Sequence, residues 1–390
     1  MADRAYLDWN ATAPLNEAAR AAVLAALDAG NPSSVHAEGR DARVIVERAR
    51  AEIAAAIGAA PRQIVFTSGA TEANALALTP AIETADGAAP RDGLVVSAIE
   101  HPSVRRGHRF GALPVETAAV DRAGVVQAAA IADALERLAA RGVSRPLVSV
   151  MLANNETGVI QPIAAIADTV HAAGGLVHVD AVQALGRIPL DVRTLDADLV
   201  TLSSHKAGGP KGAGALVLGS RIRHLAAPLI AGGGQERGVR AGTEAVPAIA
   251  GFGAAAAAAV ASLPAAAVRM AGLRRRLADG LHRIAPSAVE LGSDAPRLPN
   301  TLALALAGLA AETAVIAFDL NGVAISAGSA CSSGKVAASP VVAAMGWPEL
   351  AGSTLRFSIG PATTEADIDR AIGVWQTVVG ALANRRGKAA

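Results

Sequence analysis

The run Ser203-Ser204-His205-Lys206-Ala207-Gly208-Gly209-Pro210-Lys211-Gly212 sets a lysine directly after an apolar segment and directly before a glycine and proline turn. Asp198 to Ser203 reads as a short strand, and the turn residues that follow fix where it stops. Upstream, Leu176-Val177-His178-Val179-Asp180 is a second apolar strand, ending in a carboxylate. A lysine amine at one strand end can form a Schiff base, and a carboxylate at another can pair with a pyridinium nitrogen. These are two groups that a pyridoxal phosphate enzyme needs. The same residues also fit a solvated lysine at a strand end and an aspartate capping the next helix, so alone they leave both readings open.

Other segments carry compatible chemistry. Thr67-Ser68-Gly69-Ala70-Thr71-Glu72 follows a strand and opens a helix, so its free backbone N–H groups and the helix dipole favour an anion, with the Thr71 hydroxyl as a further donor. Simple capping of that helix by Ser68 or Thr71 fits equally well. Gly232-Gly233-Gly234 and Arg240-Ala241-Gly242-Thr243 can supply more donors, but no strand-GxGxxG-helix unit is present. Glu100-His101-Pro102-Ser103 follows the strand Leu94 to Ile99, which brings His101 to the same sheet edge. There it can stack on a flat ring and move protons near neutral pH, or merely pack at a helix start. Asn155, after a strand ending at Leu152, and Gln183, three residues past Asp180, are amides suited to a phenolic ring oxygen. Cys331 lies in Ala327-Gly328-Ser329-Ala330-Cys331-Ser332-Ser333-Gly334, small residues that read as a loop carrying a thiol. A lone cysteine is otherwise a small buried hydrophobe.

The elements that must position these residues alternate between about residues 15 and 220. Helical segments Leu15 to Ala29 and Val35 to Ile57 lead into a strand at Ile64 to Thr67, and further strands follow at Leu94 to Ile99, Pro146 to Leu152, Leu176 to Asp180 and Asp198 to Ser203. This order predicts an α/β fold with a mostly parallel sheet covered by helices, whose ligands bind beyond the carboxyl ends of the strands. After an alanine-rich helix from Glu244 to Ala261, Leu263-Pro264 breaks the pattern. An α+β unit is expected beyond it, with a helix near Ala265 to Ile284, strands near Thr301 to Leu306 and Thr354 to Ile359, and a last helix from Thr364 to about Ala383. The expected division is a large domain over 15–262 and a small one formed by 1–14 and 263–390.

Composition removes several alternatives. The 390 residues suffice for a large core, and much of the 52% hydrophobic content is alanine. No strongly apolar run is expected to cross a bilayer and the first residues lack signal-peptide character, so a cytoplasmic protein without membrane contact is expected. With 35 basic against 34 acidic residues the net charge is +1, which argues against nucleic acid as a partner. Cys331 is the single cysteine, which excludes an internal disulfide and a CxxC metal or redox pair, and no metal is expected.

Taken in order, Tyr6-Leu7-Asp8, Gly30-Asn31-Pro32-Ser33-Ser34-Val35-His36, TSGATE, EH, NNETG, HVDAVQ, SSHKAGGPKG, GGGQERGVRAGT, SAGSACSSG and Leu355-Arg356-Phe357-Ser358 cover nearly the whole chain. In this series the chain resembles the group I cysteine desulfurases of the NifS and IscS type, within the fold-type I, class V pyridoxal phosphate enzymes. The resemblance implies a large domain with a mostly parallel, seven-stranded sheet and a smaller α+β domain. It implies that Lys206 binds pyridoxal 5'-phosphate and moves protons at the substrate carbon, that Asp180 pairs with the ring nitrogen and that His101 stacks on the ring. Asn155 and Gln183 would contact the ring oxygen or substrate, and Ala70, Thr71, Ser203 and His205 match phosphate-binding positions. Thr243 matches one supplied by a neighbouring subunit, which implies a homodimer. Arg356 would clamp the substrate carboxylate, with Asn31 and His36 in a motif near the site. The implied reaction converts L-cysteine to L-alanine, the sulfur passing to Cys331 as a persulfide and then to an acceptor protein, an iron–sulfur scaffold or another carrier.

Ser204 and Ala207-Gly208 depart from the family's commonest residues without altering Lys206. The sequence stops soon after the last helix, without the longer tail by which IscS-type members engage their scaffold, so a NifS-like or general sulfur-donor role fits at least as well. Rival readings are a class V aminotransferase or selenocysteine lyase, which would not need Cys331, and a non-catalytic interaction protein, which would need none of Lys206, Asp180, His101 and Arg356.

Overall fold

The computed structural model describes residues 4–85, 87, 89–328 and 338–389. Among them, seven strands form one sheet in the order Ile64–Thr67, Gly214–Leu218, Leu199–Ser203, Leu176–Asp180, Pro146–Ser149, Gly93–Ser97 and Val115–Ala118. Gly214–Leu218 runs antiparallel to both neighbours, and every other pairing is parallel. Five of these strands are buried along their whole length. Their near-continuous apolar sequences follow from a sheet covered on both faces. One face packs against Ala37–Ala56 and the start of Val246–Ile284, and the other holds Val65, Leu76, Leu94, Leu147 and Leu216.

A second sheet, entirely antiparallel, has the order Val289–Leu291, Thr301–Ala305, Thr354–Ser358, Ser326–Ala327. Its core contains Leu302, Leu304, Leu355, Phe357 and Trp375, together with Ala5 and Leu7 from the start of the chain. Ala5–Tyr6 pairs in parallel with Val323–Ala324, which carries the following residues, Asp8 to Ala11, toward the large sheet. A small cluster that includes Ile99, Met151, Ala303 and Val342 lies between the two sheets.

One expectation is corrected here. The helix does not break at Leu263-Pro264 but runs unbroken from Val246 to Ile284, with Pro264 inside it. Proline lacks the N–H for one backbone bond, while Ser262 Oγ adds bonds to the carbonyls of Ala258 and Ala259 one turn earlier. The same helix is long and apolar enough by composition to cross a membrane, contrary to the sequence reading. Its apolar residues have partners within the protein: Ile249 and Phe252 join the large core, and Leu273, Leu277 and Leu281 join the second one.

Candidate active site

The carboxyl ends of the parallel strands deliver the candidate residues to one place. Ser97 ends a strand four residues before His101, Asp180 ends the next but one, and Ser203 ends a third and leads directly into the helical turn Ser204–Lys206. With Asn155 and the turn after Thr67 they line a cavity of about 550 Å³, whose walls also include Asn10, Ala11 and Arg356. Lys206, Asp180, His101, Gln183, Asn155, Ala70, Thr71, Ser203, His205 and Arg356 all reach it.

The phosphate-cup segment resolves its two sequence readings. Gly69 occupies the N-cap of the helix Ala70–Ala77, and no side chain caps it. Neither Ser68 nor Thr71 takes that role; Glu72 turns back instead, accepting from Ser68 N at 2.8 Å and from Arg240 Nε at 2.8 Å. Burial would raise the Glu72 pKa, but the bonds from Arg240 and Ser68 outweigh it and hold the group ionised. Gly214 permits the close approach of strand and turn: a Cβ there would stand 2.6 Å from the Gly69 carbonyl carbon and 3.0 Å from Ala70 N. Free N–H groups at this helix start face a cavity that also holds Lys206 and Lys211. Such an arrangement suits a phosphate.

Asp180 is buried and accepts from Asn74 Nδ2 at 2.9 Å and from Val182 N at 3.1 Å. Burial lowers the pKa of His101, with Lys206 adding to the effect and Asp180 opposing it, so the ring is neutral. His205 is pushed down to about 4 by burial and by the charges of Lys206, Lys211 and Arg187. Lys206 Nζ donates to the carbonyls of Asn10 at 2.6 Å and Ala11 at 2.8 Å. Gln183 is held at both ends of its amide, donating to Asn10 O at 3.1 Å and accepting from Arg187 at 2.7 Å, which leaves its second N–H for the cavity. Arg356 is buried on the strand Thr354–Ser358, between Ala303 and Ser326, and donates to Asp8 Oδ1 at 2.7 Å and Asn155 O at 3.0 Å. Its Nε is buried without a partner among the described residues.

Three candidates lie elsewhere. Asn31 accepts from Ser33 N, His36 caps the helix Ala37–Ala56, and both are exposed, as is Thr243. None of them lines the cavity of its own chain. Gln235 ties their loops together, donating to Ser33 Oγ at 3.3 Å and accepting from Gly242 N at 3.1 Å. Cys331 lies outside the described residues, which resume at Ala338. Sequence reasoning missed Asn74, Asn10, Arg187 and Lys211. Lys211 stood in plain view in the same glycine-rich run as Lys206, and Arg187 lies four residues past the Gln183 it holds, whereas Asn74 and Asn10 gain meaning only from partners far along the chain.

The donor set fits pyridoxal phosphate: an uncapped helix start with cations for a phosphate, a carboxylate for a ring nitrogen, a neutral imidazole and a lysine in one cavity. Sheet and cavity together define a class, the fold-type I pyridoxal phosphate enzymes. Comparison with known proteins narrows it. The aminotransferase class-V model matches residues 5–371. A cysteine desulfurase of Cereibacter sphaeroides is 41% identical over 389 residues, covering 97% of each chain. The X-ray structure of a NifS-like protein from Rickettsia africae superposes with a TM-score of 0.86 at 33% identity, over 97% of this chain and 100% of that one. The structure of SspA in complex with cysteine gives a TM-score of 0.74 at 27% identity, over 93% and 100%. The chain belongs to the class-V aminotransferase family and, within it, to the NifS-like cysteine desulfurases.

Proposed function

We propose that this protein is a pyridoxal phosphate-dependent cysteine desulfurase that converts L-cysteine to L-alanine and passes the sulfur to Cys331. The observation that carries this reading is the single cavity in which Lys206, Asp180, His101 and Arg356 meet an uncapped helix start. Bound there, pyridoxal phosphate supplies an electron sink for the substrate carbon. The protein supplies the rest. Asp180 would supply the negative charge for a ring nitrogen, and the neutral ring of His101 would stack on the ring without competing for it. Arg356, whose buried Nε has no partner among the described residues, orients the substrate carboxylate with its forked donors. Lys206 takes and returns the proton at the substrate carbon.

The Cys331 thiolate attacks the substrate sulfur. An S–S bond forms as the C–S bond breaks, and the electron pair of that bond goes to carbon, which takes up a proton to give alanine. Enzyme thiol plus cysteine thus becomes enzyme persulfide plus alanine, with no outside oxidant. A sulfur-acceptor protein, an iron–sulfur scaffold or another carrier, then takes the outer sulfur in the cytoplasm.

A homodimer completes the site in this reading. Leu24, Leu27, Val35, Val44, Leu229 and Ile230 are exposed and lie close in sequence to Asn31 or Thr243, neither of which lines its own chain's cavity. A second copy covering these side chains would bury them and present its Thr243 to this cavity. The deciding experiment follows alanine formation from L-cysteine, with a thiol reductant present, in the parent and in Cys331→Ala. Stoichiometric alanine and sulfide from the parent, lost in the variant, are expected. Undiminished alanine in the variant would remove Cys331 from the mechanism, and no alanine from either would favour an aminotransferase.

A further inference from the structure

We propose that Asn74 is a positioning residue for this site, holding the Asp180 carboxylate with one amide N–H and, through Ser103, fixing the ring tautomer of His101 with the other. The proposal rests on the cavity being the cofactor site. Asn74 is fully buried on the helix Ala70–Ala77, the same helix whose start lines the cavity. Its Nδ2 donates to Asp180 Oδ2 at 2.9 Å and to Ser103 Oγ at 2.9 Å, which uses both hydrogens. The reverse orientation would set Oδ1 against a carboxylate, so the partner itself fixes which end is nitrogen. Ser103 Oγ, having accepted that bond, has its one proton for His101 Nδ1, 2.8 Å away. The Ser103 backbone N–H points at the same nitrogen, at 3.1 Å. A ring nitrogen that accepts two such bonds carries no proton, so the neutral ring bears its hydrogen on Nε2. A second proton could enter only by displacing both donors.

One amide therefore sets two groups at once, the acid for the ring nitrogen and the imidazole for the ring face. A purely structural role explains it poorly. Asn74 Oδ1 is buried without a partner among the described residues, a cost that an apolar side chain of similar size would avoid.

The test reads the ring nitrogens of His101 by ¹⁵N NMR in the full-length, cofactor-free chain with labelled histidine, His101→Gln giving the assignment. Failure of the proposal is then separable from failure of the desulfurase reading. The parent should show the Nε2–H form at neutral pH. Asn74→Asp sets a second carboxyl against Asp180, and two carboxyls that close share one proton, so no donor remains for Ser103: its hydroxyl turns to the new carboxyl, and His101 loses a donor and binds a proton about tenfold more tightly. Ser103→Ala should give part of that change and, combined with Asn74→Asp, a non-additive result. With cofactor present, Asn74→Ala should weaken pyridoxal phosphate binding about tenfold in a visible-absorbance titration. Unchanged His101 nitrogens in a folded Asn74→Asp chain would overturn the proposal. Should that variant not fold, unchanged nitrogens in Ser103→Ala would do so.

Discussion

Two buried arginines, Arg50 against the large sheet and Arg356 on the second sheet, are satisfied very differently. Arg50 uses all five of its N–H groups: two reach Glu236, two reach Glu47, and one reaches Ile64 O, with the guanidinium carbon 4.7 Å above the Phe66 ring. Burial alone would lower its pKa, but Glu236 and Glu47 reverse that and raise it. Glu236 also accepts from Phe66 N at 2.9 Å, and it reaches that place from a left-handed backbone conformation, φ 47°. Such a conformation costs about 1–3 kcal/mol and persists only where the surroundings repay it. Arg356, equally buried, pairs with Asp8 and one carbonyl, leaves Nε without a partner among the described residues and faces the cavity. A fully satisfied buried cation serves the fold; a half-satisfied one at a cavity wall is held ready for a ligand.

The sharpest way to break this comparison is to exchange each arginine. Arg50→Met leaves Glu236 buried without its cation, and losing one partner of such a pair costs about 3–5 kcal/mol. The expected result in thermal or denaturant unfolding is a large loss of stability, with kcat/KM of the folded fraction nearly unchanged. Arg356→Lys should do the opposite. The charge stays but the forked donor set is lost, so kcat/KM for L-cysteine should fall about a hundredfold while stability changes little. If Arg356→Lys unfolds the protein as readily as Arg50→Met, the distinction between the two sites fails.

The same contrast explains how much the sequence discloses. Strand ends were legible because a covered parallel strand must be apolar throughout, so Asp180 and the polar run after Leu202 stand out where the apolar pattern stops. The resemblance added the roles, residue by residue. The unbroken helix through Pro264 was not legible, because local propensity counts the proline against a helix whereas packing on two cores at once holds it together. Asn74 and Asn10 were hidden for a different reason. Asn74 and Asp180 are 106 positions apart, and no local pattern marks an amide whose partners come from that distance. Asn31 shows the reverse limit: motif membership placed it near a site that its own chain does not bring it to, whereas Thr243 was expected from a neighbouring subunit.

A smaller effect separates buried acids in the same way. Glu236 is buried against a cation, whereas Glu100 is buried with neutral donors: its Oε1 accepts from Ser97 Oγ at 2.5 Å and Met151 N at 2.7 Å, and its Oε2 has no partner among the described residues. Burial pushes its pKa up to about 8, the Asp180 charge adding to the rise against the pull of those two bonds and of Arg105. The folded chain thus keeps a proton between about pH 4.5 and about pH 8 that the unfolded chain has shed, so this group's contribution to stability is full below that window and is lost as pH rises through it. Glu100→Gln keeps the shape and removes the titration. Its Tm relative to the parent should therefore climb by a few degrees between about pH 5 and about pH 9 and level off above. A Tm difference that is flat across the window would mean that Glu100 is ionised in the folded protein and that a cation serves it as Arg50 serves Glu236.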